Sequence, residues 1–344
     1  LDEALAIAAE RLLQPAFAEA DFERVKSQTL QGIRQSKTQA ATTAATVYQF
    51  VLFGKDNSFS YLNIGTEESV ANITLDDVKA FYAEHYSPKI GSVVAVSDQA
   101  QDALLAKLAV FDDWEGPVVE KPELAEFPFI DKTRLYLVDK PDAAQSEIRI
   151  GKRSLTYDAT GEYYRSYLMN YALGGAFNSR INLNLREDKG YTYGARSGFQ
   201  GSEDYGTYTA QAGIRTDATA DGIVQFENEI RNYAENGITE PELTFTRRAI
   251  GQRDARSYET PAQKLGFLSQ ILRYDLDDDF VDQQNEILES IGKAELNALA
   301  KKHLDMDKMI IVVVGDKQTI LPDLEGLGYE IVELDAAGNA VEST

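Results

Sequence analysis

The sequence predicts an α+β protein in which an antiparallel sheet is covered by helices on one face, with one incomplete and one complete copy of a repeated unit. Two observations predict this fold class: two distant segments resemble each other, and strand patterns joined by hairpins are followed by helical patterns rather than alternating with them. The chain has 344 residues, a length that favours two domains, and its 43% of hydrophobic residues can form a sizeable core.

The internal repeat joins residues 73–98 to residues 291–316 without a gap. His85 therefore aligns with His303, and most apolar positions of one segment remain apolar in the other. Because both histidines occupy the same position after a helical pattern, we expect both to have structural roles. The alternative is chance similarity between two helix–strand units.

Each repeated segment has the pattern of a short helix, a loop and a strand. The apolar runs at residues 93–96 and 310–314 are typical of buried strands. Upstream, the match continues at a slightly larger offset, with Phe17 over Ile238, and acidic residues open a long helical pattern in each copy. At an offset of about 220 residues, the front section of the second copy has no counterpart in the first copy. We therefore expect the chain to lack about a hundred residues at its start.

This organisation predicts four segments along the chain. Three of the nine prolines fall in a short acidic stretch between the copies, which favours an extended linker, and the small polar residues at the end favour fraying. The segments are the C-terminal half of a first domain (1–110), a linker (111–130), a complete second domain (131–337) and a flexible tail (338–344).

The elements of the complete copy follow one another in a clear order. Alternating patterns predict strands at residues 133–141 and 146–153, and a tyrosine-rich stripe then predicts a helix over 161–175, ended by Gly174 and Gly175. The remaining predictions are a short helix capped by Asn178 or Ser179 and ended by Gly190, a hairpin of 191–200 and 205–214, and a helix over 217–235.

Composition excludes several classes of protein. The formal net charge of −22 disfavours binding to nucleic acid, and no apolar run approaches the ~20 residues that a membrane span requires. Cysteine is absent, which excludes disulfides, thiol nucleophiles and cysteine-based zinc sites. A chain without cysteine suits a periplasmic or secreted bacterial protein, with the cytoplasm as the alternative.

One segment points to a known family. Residues 173–199 contain Leu-Gly-Gly, Ser-Arg-Ile and Leu-Arg-Glu-x-x-Gly-x-x-Tyr in that order, and Lys140-Pro141 precedes Gln145-Ser146 at a strand entry. The chain thereby resembles the pitrilysin/insulinase zinc peptidases, which are similar to the mitochondrial processing peptidase. The resemblance covers most of the chain and implies duplicated processing-peptidase-like domains of the size found above.

The resemblance implies no metal site in this chain. Active members of that family carry an H-x-x-E-H helix and a distal glutamate, but this sequence has no H-x-x-E-H. Near the expected distal carboxylate stand Gln28, Gln31 and Gly32, which are poor zinc ligands or none at all. We therefore expect no cofactor here, and zinc only in a partner subunit or domain.

The resemblance also implies a pair of catalytic side chains. In the family, an arginine and a tyrosine seven residues later reach the zinc site of the opposing domain, and here these are Arg186 and Tyr193, with Tyr191 as an alternative phenol on the same strand face. A guanidinium and a phenol are suitable donors to an oxyanion. The plainer interpretation is that the helix dipole favours the arginine and that tyrosine is an ordinary strand residue.

These observations lead to a functional hypothesis. The chain is expected to be a non-zinc subunit or half of a pitrilysin/insulinase-type metallopeptidase, inactive alone, that completes the chamber of an H-x-x-E-H partner for peptide hydrolysis in a hetero- or homodimer. Family resemblance further implies that a peptide adds as a strand to a sheet edge. The alternatives are a non-catalytic core subunit and a peptide-binding chaperone of the same fold.

Overall fold

The computed structural model describes residues 1–254 and 258–341, and the side chains of residues 253 and 254 are excluded. The chain divides into two compact units. A helical unit comprises Leu1–Gln35, Leu62–Leu124 and Ser257–Leu272, and a sheet unit comprises Ser36–Tyr61, Ala125–Arg256 and Arg273–Thr344. Residues 36–61 thus belong to the sheet unit although they precede the linker predicted at 111–130. The assignment of 1–110 and 131–337 to two homologous domains stays a prediction.

The sheet unit contains one sheet of six strands. The strands are β1 (Leu135–Asp139), β2 (Gln145–Ser154), β3 (Ala195–Gly201), β4 (Gly206–Arg215), β5 (Ile310–Gly315) and β6 (Ile331–Leu334). Their order across the sheet is β3-β4-β2-β5-β1-β6. The predicted strands in 133–141, 146–153, 191–200 and 205–214 are confirmed, and β3 and β4 form the predicted hairpin.

The prediction of an antiparallel sheet is wrong in one part, because the sheet is mixed. Strand β5 lies between β1 and β2 and runs parallel to β1 and antiparallel to β2, and β6 also runs parallel to β1. All six residues of β5 are buried, as expected of a central strand covered on both faces. Strands β1 and β2 are consecutive in sequence, but β5, which comes from near the end of the chain, separates them in the sheet.

Helices cover the sheet on both faces, whereas the sequence indicated one. The helices of the sheet unit are α3 (Ala40–Phe53), α7 (Glu162–Asn170), α8 (Arg180–Asn182), α9 (Thr219–Asn236), α10 (Glu240–Asp254), α12 (Phe280–Ser290), α13 (Lys293–His303) and α14 (Lys317–Glu325). Leu168, Phe226 and Ile230 belong to the larger core. On the opposite face, Val47 and Leu52 of α3 form a second core with alternate residues of β5. An apolar helix from early in the chain thus closes that face of the sheet.

The helical unit lacks strands in the residues that the structure describes. Its helices are α1 (Asp2–Leu13), α2 (Glu19–Ser36), α4 (Glu67–Asn72), α5 (Leu75–His85), α6 (Gln101–Leu108) and α11 (Pro261–Tyr274), of which α2 and α11 extend slightly beyond the unit. The strand predicted at 93–96 is wrong: residues 91–97 form neither helix nor strand, and Val93 is 66% exposed. A strand requires a neighbour for its main-chain hydrogen bonds, and no described residues of this unit supply one.

Helix lengths recur at the offsets of the sequence repeat. Helices α3 and α11 both have 14 residues, and their first residues, Ala40 and Pro261, have the spacing of the upstream match. Helices α5 and α13 both have 11 residues, lie at equivalent positions of the ungapped match, and each precedes a short 3₁₀ turn, at Pro88–Ile90 and Met306–Lys308. The order of helices in the first part of the chain therefore returns in the second.

The connections and the chain end complete the fold. Residues 114–131 form neither helix nor strand, as expected of the predicted linker. The predicted tail at 338–344 is described only to Val341, whose N–H donates to the carbonyl of Glu333 at 3.0 Å; residues 342–344 lie outside the described residues. Among the helices of the described ranges, none combines the length and the apolar character that crossing a bilayer would require.

Candidate functional site

The motif-bearing segment runs from α7 to the start of β3 and includes two π-helical turns. The helix predicted over 161–175 is confirmed as α7 continuing into a π-helical turn at Tyr171–Gly175. The backbone of Gly174 lies against Ser197 of β3, so that an added Cβ would stand 2.1 Å from the Ser197 Oγ. This close approach explains why a residue without a side chain is required there.

Side chains from the segment occupy the outer edge of β3. The Ala195 N–H donates to Asn182 Oδ1 at 2.9 Å, Asn170 Nδ2 donates to the Ser197 carbonyl at 2.8 Å, and the Tyr163 hydroxyl donates to the Phe199 carbonyl at 3.4 Å. Both asparagines are buried. Three main-chain groups on this edge are thus already bonded to side chains, which leaves fewer of them free to pair with an added strand.

Arg186 lies in the second π-helical turn, Leu183–Asp188, which follows α8. Its guanidinium forms an ion pair with the adjacent Glu187 and lies over the ring of Phe177, 4.6 Å from the ring centroid. Gly190 follows with a φ of 65°, which confirms it as the residue that ends this helical segment. The arginine is therefore held at the surface by a ring and a carboxylate.

Tyr193 and Tyr191 have different environments, contrary to the expectation of a shared strand face. Strand β3 begins only at Ala195, and residues 191–194 are a loop, because the chain there turns away from the helical segment. Tyr193 is 93% exposed. Tyr191 packs against the main core, and its hydroxyl donates to Asp221 Oδ2 at 2.8 Å.

The hydrogen bond with Asp221 engages the hydroxyl of Tyr191, the alternative candidate donor. Donation to this carboxylate, together with partial burial, raises the pKa of Tyr191, and the same bond lowers the pKa of Asp221. The main chain is also fixed, because the Tyr191 N–H donates to the Leu185 carbonyl at 2.9 Å. Tyr191 thus has a structural partner inside the chain, whereas Tyr193 extends into solvent.

Tyr193 lines a cavity of about 530 Å³ beside the sheet. The ring of Phe177, which carries the Arg186 guanidinium, lines the same cavity, as does the backbone of Gly174 and Gly175. The two candidate donors are therefore both associated with this cavity, Tyr193 directly and Arg186 through the aromatic ring beneath it.

Arg180, the arginine of the Ser-Arg-Ile motif, has a structural role. It forms a two-pronged ion pair with Glu242, at 2.6 and 2.7 Å, and it also donates to the carbonyl of Gly237 at 3.0 Å. Burial opposes the charge of Glu242, but the hydrogen bonds from Arg180 and Thr239 outweigh it and lower its pKa. The ion pair ties α8 to the start of α10.

The histidines lie at helix ends. His303 is buried, contacts Glu162 through Nε2 and packs edge-on against the ring of Phe199, so its structural role is confirmed. His85 ends α5 in an exposed position 4.0 Å from Glu84.

The residues at the family's metal positions do not fit a zinc ion. Gln28 accepts a hydrogen bond from Arg24 at 3.3 Å on the exposed side of α2, and neighbouring Gln31 is exposed too. Neutral amides are poor zinc ligands. Across residues 1–254 and 258–341, no three His, Cys, Asp or Glu side chains converge as a metal site would require.

Sequence reasoning missed several residues around the cavity. Arg149 of β2 and Arg196 of β3 line it, and Phe177 supports Arg186. The available signal was strand alternation: Arg149 stands between Ile148 and Ile150, both fully buried, and therefore projects from the other face. Its location beside Arg196 depends on strand order, which the sequence does not reveal.

Comparisons with known proteins place the fold among peptidase-like domains. A structure of a peptidase M16 inactive domain from Pseudomonas fluorescens superimposes with a TM-score of 0.81 at 26% identity, over 91% of this chain and 74% of that one. The chain is 24% identical to the "non-peptidase homolog YmxG" of Helicobacter pylori, over 92% of this chain and 73% of that protein. It is 23% identical to an uncharacterized zinc protease of Streptomyces coelicolor, over 72% of this chain, and the match spans 54% of that relative's length.

The sequence model of the peptidase M16 inactive domain matches residues 72–250, slightly more than half of the chain. The chain belongs to this family. The resemblance to zinc peptidases, with the inactive type of domain, is thereby confirmed.

Proposed function

We propose that this chain is the non-zinc half of an M16 metallopeptidase and completes the active site of an H-x-x-E-H partner. The observation that carries the proposal is an inactive-type domain whose motif tyrosine, Tyr193, is 93% exposed at the mouth of a cavity. Because its ring is almost fully exposed, Tyr193 contributes little to the packing of this chain. A partner that covers the ring would provide the explanation.

The proposed chemical role of Arg186 and Tyr193 is to donate hydrogen bonds to the substrate. As a peptide bond is hydrolysed, its carbonyl oxygen acquires negative charge, and a guanidinium and a phenol O–H stabilise that charge. Stacking on Phe177 limits the movement of the Arg186 guanidinium and so reduces the entropy lost when it binds. Tyr191, engaged with Asp221, is the weaker candidate.

The metal belongs, in this proposal, to the partner. A bound zinc ion supplies Lewis-acid chemistry to the reaction. Because Gln28, Gln31 and Gly32 do not fit such an ion, this chain contributes hydrogen-bond donors and walls of the chamber rather than metal ligands at these positions. The side chains bonded to the edge of β3 support the same division of roles, in which a peptide that adds as a strand does so on the partner's sheet.

We also propose that the parent molecule consists of two homologous domains, of which 1–110 is the back half of the first and 131–337 the whole of the second. Support comes from the equal lengths of α3 and α11 and of α5 and α13 at the repeat offsets. A heterodimer with an H-x-x-E-H homologue would then bring four such domains around one chamber, and a homodimer is the alternative assembly. The lack of cysteine supports a periplasmic or secreted location.

The competing function is that of a non-catalytic subunit or peptide-binding protein. The name of the Helicobacter pylori relative, a non-peptidase homologue, favours it. In that case the chain would assemble with other proteins, and Arg186 and Tyr193 would be irrelevant to any turnover.

Reconstitution tests the proposed function. The chain and an H-x-x-E-H homologue from the same genome are purified, and hydrolysis of an unstructured peptide is followed for each protein alone and for the mixture, all with added zinc. We expect this chain alone to be inactive and the mixture to exceed the partner alone by at least tenfold, because the oxyanion donors are supplied in trans. A mixture no faster than the partner alone would favour the competing function.

A further inference from the structure

Three side chains form a row across neighbouring strands of the sheet unit. Arg149 of β2 stands opposite Gln211 of β4, and Gln211 stands opposite Arg196 of β3. Directly opposite residues of antiparallel strands project from the same face. The row therefore places two guanidinium groups on either side of one amide, and Arg149 donates a hydrogen bond to that amide.

The row is shared by two adjoining cavities, together called the arginine trough. One cavity, of about 570 Å³, extends towards Tyr205 and Gln200, and the other, of about 530 Å³, extends towards Tyr193. Arg149, Arg196 and Gln211 line both. Each volume is in the range of ligand sites, and the two together follow the strands as an extended chain would.

The trough is electropositive in an acidic protein. Among the described residues that line it, Glu147 is the only acid, against the two arginines. The side chain of Arg196 is exposed and makes no hydrogen bond or ion pair with any residue that the structure describes. The chain as a whole carries a net charge of −22, so an anionic ligand would be repelled from most of the surface and attracted here.

Two buried polar atoms at the trough lack partners. Within the described part of the chain, Arg149 Nε has no acceptor, and Gln49 Oε1 of α3 has no donor. Both residues line the larger cavity. A buried polar atom without a hydrogen bond is costly, so the lining of the larger cavity holds two polar side chains whose hydrogen-bonding capacity is not met by the described residues.

We propose that the arginine trough binds an extended peptide through a carboxylate, which lies between Arg149 and Arg196. The amides and hydroxyls of Gln49, Gln200 and Thr209 suit the main-chain groups of such a peptide. This inference rests on the proposed function and deepens it, because it identifies substrates that carry an acidic side chain or a free C-terminus near the site of cleavage. It concerns binding to this chain alone, so it is tested without the partner.

Isothermal titration calorimetry of the whole chain with three unlabelled pentapeptides tests the proposal. The probes are acetyl-Ala-Ala-Glu-Ala-Ala-amide, its glutamine counterpart, and the glutamine peptide with a free C-terminal carboxylate. We expect at least one carboxylate peptide to bind at least tenfold more tightly than the neutral amide, and the two carboxylate peptides distinguish a side chain from a chain end. Equal affinity for all three, or no binding at all, would overturn the proposal.

Two variants locate the binding. Arg196→Gln removes an unpaired exposed charge, and Gly198→Val fills the larger cavity at a position where an added Cβ meets no atom within 4 Å. Each should weaken binding of the carboxylate peptide at least tenfold, whereas Arg248→Gln, the same charge change on the exposed side of α10, should leave it unchanged. Wild-type affinity in both trough variants contradicts the assignment. Because the chain is tested alone, failure here leaves the proposed donor role of Arg186 and Tyr193 open to its own test.

Discussion

Tyr191 and Tyr193 are near neighbours in sequence and have opposite environments. The ring of Tyr191 is packed and its hydroxyl bonded to Asp221, while Tyr193 is 93% exposed. The motif identified both phenols, but alternation along a strand placed them on one face. The loop at 191–194 and a carboxylate from a later helix decide the difference, and neither can be predicted from local sequence.

The ion pair of Arg180 and Glu242 predicts a dependence of stability on pH. Because the folded state lowers the pKa of Glu242, its stabilising contribution is complete above the ordinary carboxyl pKa of about 4.3 and is lost as the pH falls through the lower folded value. Glu242→Gln should reduce the free energy of unfolding by about 2 kcal/mol at pH 7, and by progressively less as the pH falls below about 4.

Urea unfolding of both proteins at a series of pH values provides the measurement. Glu240→Gln, in the same first turn of α10, is the matched control, because its carboxylate is largely exposed and lies 3.9 Å from Lys293. The control should change stability little at any pH. A constant difference between wild type and Glu242→Gln over the whole range would show that the charge of Glu242 contributes nothing.

At the scale of elements, the contact between α7 and β3 depends on one glycine. An added Cβ at Gly174 would lie 2.1 Å from Ser197 Oγ and 2.5 Å from Ser197 N, so Gly174→Ala must push the helix from the strand and disturb the buried bond between Ser197 and Asn170. We expect a loss of about 2 kcal/mol or more in the free energy of unfolding.

The neighbouring glycine is the control for this prediction. At Gly175 the nearest atom to an added Cβ is the Asn170 carbonyl oxygen at 3.5 Å, an ordinary contact. Gly175→Ala should therefore be tolerated. Equal unfolding midpoints for the two variants in urea would mean that the helix and strand are less tightly packed than the structure indicates.

Some strands and helices could be predicted from local sequence patterns, and others could not. Strand and helix patterns in the second half were sufficient to predict β1 to β4 and α7, because local alternation and glycine stops determine them. The insertion of β5 between β1 and β2, and the packing of α3 on the far face, result from contacts between residues far apart in sequence. The run at 93–96 has strand composition but no neighbouring strand in the described helical unit, so composition alone was misleading.

At the scale of the whole molecule, the repeat and the side chains bonded to the edge of β3 both bear on the proposal of a partner subunit. Helices recur at the repeat offsets, but only the second part of the described chain contains a sheet. The family motifs single out Arg186 and Tyr193 as candidates, whereas the cavity beside Phe177 could be found only in three dimensions. The proposed function therefore requires a second protein that uses the exposed donor.

The most direct test of that dependence is the turnover number of the assembled pair with single substitutions in this chain. Tyr193→Phe, which leaves folding intact, should lower kcat at least tenfold, and Arg186→Ala should do the same, while Tyr191→Phe should reduce stability through the lost bond to Asp221 and leave kcat near wild type. A kcat unchanged in both Tyr193→Phe and Arg186→Ala would contradict the central claim that this chain lends its donors to a partner's active site.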